Sequence, residues 1–209
     1  MSDQSRRARK KDETRTRIVS VAMELFEQQG FNSTTMEQIA DMADVAKGTL
    51  YNYFPVKEAI ISAFMRLSAT KAIPDIELLL NNVPDTRSRL TIMFSKIAEW
   101  QIPHRELLEH YLSYRFSNLL ESFRNPEQRS GFDRNVAMVI ERGQQDHEIR
   151  NDLPLALMVG YLQSGYLTVI MQWLAHDDVD LEKGLLQMVD LFLSGAATAK
   201  GGGGHNGQK

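Results

Sequence analysis

The stretch from Thr34 to Glu58, TTMEQIADMADVAKGTLYNYFPVKE, constrains this chain more than any other. Thr35 and Gln38 have the spacing of a capping box, and Met36, Ile39, Ala40 and Ala43 follow at helical intervals. Asp44 then offers a residue that tolerates the left-handed backbone of a tight turn. A second short helix, about 46 to 53, must end before Pro55, which disfavours helix in the residue ahead of it. Two short helices fixed at an angle by a tight turn are how a small domain offers one of them to the DNA major groove.

Helical periodicity runs through the rest, and no segment keeps a period of two. Ile18, Val21, Ala22, Leu25 and Phe26 give an amphipathic helix over about 12–29, stopped by Gly30. A fourth helix begins near Lys57 and buries Ile60, Ala63, Phe64 and Leu67. Beyond Pro74 and Pro84 come five more candidates, near 86–101, 104–124, 127–146, 154–175 and 181–196. The expectation is an all-α chain of about nine helices. It divides into a flexible basic arm (1–11), a three-helix DNA-binding domain (12–56), a connecting helix (57–73), a helical ligand-binding and dimerisation domain (74–198) and a flexible glycine-rich tail (199–209).

Charge separates the two ends. Residues 1–17 carry seven bases against three acids, whereas residues 72–209 carry 13 bases against 18 acids, within a chain of net charge -3. A basic front on an acidic body suits a module that meets phosphate at one end. With no cysteine among 209 residues, disulfides and thiolate metal sites are excluded. The start of the chain lacks the apolar core of a signal peptide, so the expected location is the cytoplasm, on the nucleoid. Leu155–Ala175 contains no charged residue. Gln163, Ser164, Thr168 and Gln172 would be costly in hydrocarbon, and Asp177 and Asp178 flank its far end, so the expectation is no membrane partner. A helix apolar on nearly all sides is instead one covered on all sides. The segments near 154–175 and 181–196 are therefore the expected homodimer interface.

On the second short helix, Leu50 and Phe54 sit four apart as anchors, leaving Lys47, Thr49, Asn52 and Tyr53 on the other face. Lys47 suits guanine N7/O6 or phosphate, Thr49 a thymine methyl or a phosphate, and Asn52 adenine N6/N7. Tyr51 and Tyr53 can bond phosphate through their hydroxyls, Lys57 adds a cation, and Thr35 offers backbone and hydroxyl at a helix start. Gly48 lets the backbone come close. Over residues 12–60, with LFEQQGF, TTMEQIA, KGTLYNYF and the following Lys57-Glu58, the chain resembles the TetR (tetracycline-repressor-type) family of bacterial transcription regulators. GQQDHEIRNDLP, ahead of the apolar helix, also fits that family's regulatory half. The resemblance implies a homodimer on double-stranded DNA with a pseudo-palindromic operator, DNA contacts at Lys47, Gly48, Thr49, Tyr51, Asn52, Tyr53 and Lys57, and a small hydrophobic effector. Two departures are Ala46, where many members have serine, and Asp44, where glycine is frequent.

Aromatic and methionine side chains fill the second half. Phe94, Trp100, Tyr111, Phe132, Met138 and Tyr166, with Arg115 and Gln163 as polar handles, are the candidate lining of an apolar ligand cavity, although the same spacing suits plain core. No catalytic arrangement stands out: five histidines are scattered without an i, i+4 pair, and no cofactor-binding pattern is present. The expected function is a homodimeric repressor, not an enzyme, released from its operator by a small hydrophobic ligand. The alternatives are a DNA-anchored interaction module controlled by a protein partner, and an enzyme carrying a DNA-binding appendage.

Overall fold

The computed structural model describes residues 3–117 and 130–196. Among them are ten α-helices, one 3-10 turn and no strand: α1 Asp3–Gln29, α2 Met36–Met42, α3 Lys47–Tyr53, α4 Lys57–Lys71, α5 Ile73–Asn82, α6 Thr86–Gln101, the 3-10 turn Ile102–His104, α7 Arg105–Ser117, α8 Phe132–Gln145, α9 Leu155–Ala175 and α10 Leu181–Ala196.

Two features differ from expectation. Helix α1 begins at Asp3, so most of the expected arm is helical. Apolar spacing starts only at Ile18, but the preceding Gln, Arg, Ala, Lys and Glu residues are strong helix formers with no Gly or Pro among them. Helix α5 was not expected at all. Pro74 reads as a break, yet it occupies the first turn of α5, where proline's missing N–H costs nothing. The helices expected at 104–124 and 127–146 are described as α7 and α8. Residues 118–124 and 127–129 of those ranges, and the tail 199–209, lie outside the described residues, while Ser130 and Gly131 are described and precede the helix α8.

The chain forms two compact units, residues 1–71 with 104–131 and residues 72–103 with 132–209. Thus α7, expected in the second domain, packs in the first unit, where it lies against α4 with Leu107, Leu108 and Tyr111 buried. In that unit α1 packs on α2 and α4, and α2 packs on α3. Ile18, Ala22, Phe26, Ile39, Ala40, Leu50, Phe54 and Ile60 make the core. Gly30 ends α1 in the left-handed region at φ 84°, its N–H bonded to the Phe26 carbonyl at 3.0 Å.

In the second unit, α6 packs on α10, α9 lies between α8 and α10, and α5 and α6 both touch α8. A β-carbon on Gly165 would meet Met188 at 2.9 Å, and one on Gly184 would meet Val169 at 2.9 Å, so α9 and α10 approach at two points that larger residues would crowd. The α5–α6 turn is fixed by a buried guanidinium. Arg89 donates to the carbonyls of Val83 (2.8 Å) and Pro84 (3.2 Å) and to Asp146 (2.9 Å). Glu148 accepts the Thr86 N–H at 2.6 Å, and Asp85 caps α6 by accepting the Ser88 N–H at 2.8 Å. Helix α9 is long and apolar enough to cross a membrane by length and composition, yet only 22% of its most apolar window is buried within the chain.

Candidate nucleic-acid interface

Helix α2 is started by the expected capping box. Gln38 N–H donates to Thr35 Oγ1 at 3.2 Å, and the Thr35 N–H donates to Gln38 Oε1 at 2.8 Å. Asp44, at φ 49°, makes the left-handed turn, and the Val45 N–H closes it on the Ala40 carbonyl at 3.0 Å. Helix α3 follows with Leu50 fully buried and Phe54, its C-cap, 1% exposed. Burying those two residues fixes the rotation of the seven-residue helix. Lys47, Gly48, Tyr51 and Asn52 are consequently exposed, with Thr49 and Tyr53 half-buried at the edges of the same surface. A β-carbon at Gly48 would meet nothing within 4 Å, so neither packing nor backbone angle calls for glycine there. Its helix cost, roughly 1 kcal/mol against alanine, is incurred without structural return.

Lys47 Nζ stands 3.9 Å from Glu37 of α2, both side chains largely exposed. An exposed pair of this kind contributes under about 1 kcal/mol and yields readily to a competing phosphate. Thr35 is exposed beside it, with a hydroxyl proton still available for donation.

Lys57 is engaged within its own unit. Its ammonium donates to the carbonyls of Phe31 at 2.6 Å and Thr34 at 2.7 Å and lies 4.2 Å from the centre of the Phe31 ring. Burial lowers its pKa, against the opposing pull of Glu58 and Glu106. The side chain is therefore turned onto the loop that leads into α2, where a cation satisfies carbonyls that have no helical partner. The same loop is held from α7, where Glu106 accepts from Asn32 at 2.9 Å and His110 stacks on Phe31 with ring centres 4.1 Å apart.

Two residues the sequence reading passed over complete the arrangement. Gln29, in the last turn of α1, donates to Thr34 Oγ1 (3.2 Å) and Gln38 Oε1 (3.1 Å), so it buttresses the start of α2. Arg15 places its guanidinium 5.7 Å from the centre of the Phe54 ring, at the end of α3. Gln29's place one residue before the stopping glycine was the available signal for its role. Nothing local marked Arg15.

The expected ligand residues do not come together as one set. Phe94, Phe132 and Tyr166 form a cluster in the second unit, with ring centres at 6.0, 6.0 and 4.7 Å. Gln101 of α6 hydrogen-bonds the Tyr166 hydroxyl. Trp100, Met138 and Gln163 belong to the same unit and are half-buried, whereas Tyr111 and Arg115 stand on α7 in the first unit. A groove of about 750 Å³ opens between α6 and α10, lined by residues such as Arg87, Thr91, Leu186 and Leu191, and none of the expected residues lines it.

Residues 18–64 match the family model described as bacterial regulatory proteins, tetR family. The chain is 33% identical over 87 residues to an uncharacterized HTH-type transcriptional regulator, YuxN, of Bacillus subtilis, covering 39% of this chain and 30% of that protein. It is 40% identical over 60 residues to the HTH-type transcriptional regulator UidR of Escherichia coli, covering 29% and 31%. The matched stretch thus spans about a third of the length of these two relatives. Over nearly the whole length, the crystal structure of Thermus thermophilus FadR, a TetR family transcriptional repressor in complex with lauroyl-CoA, superposes with a TM-score of 0.75 at 27% identity, covering 91% of this chain and 100% of that one.

Proposed function

We propose that this chain, which belongs to the TetR family of transcription regulators and so is a DNA-binding helix-turn-helix protein, acts as a homodimeric repressor released from a pseudo-palindromic operator by a small, largely hydrophobic effector. The observation that carries the reading is the surface of α3. Leu50 is spent on anchoring, the exposed side chains include Lys47 and Asn52, whose donors suit base edges, and Gly48 leaves room for close approach. Lys47, Thr49 and Asn52 supply discrimination, while Tyr51, Tyr53 and the start of α2 at Thr35 supply phosphate contacts. Lys57 acts one step back, by holding the loop from which α2 starts.

Two copies of α3 then enter successive major grooves roughly 34 Å apart. The apolar stripe on α9 supports the dimer: Leu157, Tyr161 and Met171 are all exposed on one side of an uncharged helix, and Leu191 of α10 is 78% exposed. For the effector, the support is the aromatic cluster of Phe94, Phe132 and Tyr166, together with the lauroyl-CoA bound by the Thermus thermophilus relative. A long-chain acyl thioester is accordingly the first probe to try. Helix α4 connects the DNA-binding helices to the rest of the chain and is the proposed route by which effector binding alters half-site spacing.

Selection of bound sequences from random duplexes tests the reading directly. A recovered site with twofold symmetry, occupied by two protomers and vacated on adding an acyl-CoA, is the expected result. Recovery of no preferred sequence would remove the DNA-binding role. An asymmetric site bound by one protomer would remove the dimer.

A further inference from the structure

The first turns of α1 add nothing to the core. Residues 6–13 are all exposed, and the first core residue of the helix is Ile18. Arg6, Arg7, Arg9, Lys10 and Lys11 crowd that stretch, against Asp12 and Glu13, and the ion pair at its centre, Arg9 with Glu13 at 3.3 Å, is exposed on both sides. Cations near a helix N-terminus stand at the positive end of its dipole, where they are unfavourable, and they also repel one another. A segment that adds nothing to the core while crowding like charges is the kind of inconsistency natural sequences keep for a function.

Its place in the first unit says which function. Arg15, one helical turn after Lys11, lies against Phe54 at the end of α3, so the basic turns continue from the edge of the recognition surface. Positive charge also gathers there: burial lowers the Arg66 pKa, and repulsion from Arg15 adds to that, partly opposed by Tyr111. At 1.5 Å per residue, Arg6 to Arg17 span about 16 Å, on the order of five base pairs along a duplex axis.

We propose that the basic turns of α1, residues 6–11, are a second DNA-contact element that grips backbone phosphates flanking the half-site read by α3. The partner is duplex DNA, argued from charge complementarity and from continuity with the recognition surface. The inference rests on the DNA-binding reading above and adds to it a segment that sets affinity without setting sequence preference. Phosphate contacts release condensed counterions, so each one is visible in the salt dependence of binding.

The test compares the full chain with a variant carrying Arg6→Gln, Arg7→Gln, Lys10→Gln and Lys11→Gln. Each is titrated with the selected duplex bearing long flanks, with the same duplex trimmed to its core, and with a scrambled duplex, at several salt concentrations. The expected result is binding weaker by about tenfold or more near 0.1 M salt. The slope of log affinity against log salt should fall by about 0.9 for every phosphate that the variant no longer neutralises, and the benefit of the flanks should disappear. The ratio of selected to scrambled affinity should stay within about twofold, because phosphate contacts carry no sequence information. A charge-keeping variant, Arg6→Lys, Arg7→Lys, Lys10→Arg and Lys11→Arg, should retain the wild-type slope. An unchanged slope in the glutamine variant, beside a wild type that binds its site selectively, overturns the inference and leaves the DNA-binding reading intact. A wild type without sequence preference overturns both.

Discussion

Ala46 holds the N-cap position of α3 with a backbone already suited to capping, φ -62° and ψ 144°, but supplies no side-chain acceptor to the first amides of the helix. Ala46→Ser should therefore stabilise the chain by about 1 kcal/mol, read as a rise of a few degrees in Tm. No gain would show that those amides are already served. Lys47 and Lys57 make a sharper contrast. Both are lysines in or beside the helix-turn-helix, but one ammonium is exposed and weakly paired, and the other is bonded to two carbonyls. Lys47→Ala is expected to leave stability within about 0.5 kcal/mol of wild type, as exposed substitutions do. Its operator affinity should fall, with either a salt slope lower by about 1 or a relaxed base preference at one position. Lys57→Met should behave in the opposite way. Removing two charge-assisted bonds from the α1–α2 loop should cost about 1–3 kcal/mol of stability and weaken operator binding, while the salt slope stays as it was. A reduced slope for Lys57→Met would return that lysine to the DNA.

At the scale of elements, the turn between α5 and α6 makes a pH prediction. Arg89 is almost wholly buried, and Asp146 is its carboxylate; hydrogen bonds from Arg89 and then Arg142 hold the Asp146 pKa below its ordinary value. A carboxylate with a depressed folded pKa contributes stability above its unfolded pKa and loses it as pH falls through the folded one. Asp146→Asn should accordingly lower Tm near neutral pH, with the gap to wild type closing below the usual carboxylate range; a gap constant down to strong acid would show that shape, not charge, matters at this position. Elements of this kind also mark where sequence was informative. The capping box, the Asp44 turn and the Gly30 stop were legible because each depends on residues within five positions of one another. So was α9, whose bounds follow from a long run without charge. Helix α5 was not, because Pro74 reads identically as a break or as a first turn until the chain around it is seen. Nor was the place of α7, since its buried Leu107, Leu108 and Tyr111 give helical spacing without naming the partner helix. The role of Lys57 was hidden for the same reason: its carbonyl partners lie 26 and 23 residues away. On the candidate interface, the spacing of Leu50 and Phe54 pointed to Lys47, Thr49, Asn52 and Tyr53; Lys47 and Asn52 are exposed, Thr49 and Tyr53 are only half-buried, and Arg15 beside Phe54 required the tertiary fold.

For the whole molecule, α9 is the element a lone chain in water leaves least satisfied. Its mean hydropathy is 1.2 over the most apolar window, it carries no charge, and Leu157, Tyr161 and Met171 stand 41, 58 and 47% exposed. Ser164 and Thr168 lie on the same stripe, but their hydroxyls bond back to the carbonyls of Gly160 and Ser164, so they present little that water must serve. A twofold axis through such a face covers it with its own copy, and each residue there is met twice. Tyr161→Glu would then place two carboxylates in one desolvated patch, while an exposed position in the single chain has little core to lose. Sedimentation should show a monomer in place of a dimer, with helical circular dichroism unchanged. Operator affinity should fall by about 10²–10⁴-fold, because the second recognition helix no longer binds at the effective concentration its linkage provides. Should Tyr161→Glu sediment as wild type does, the α9 stripe is not where protomers meet. The spacing of the two recognition helices would then have to be set by another surface.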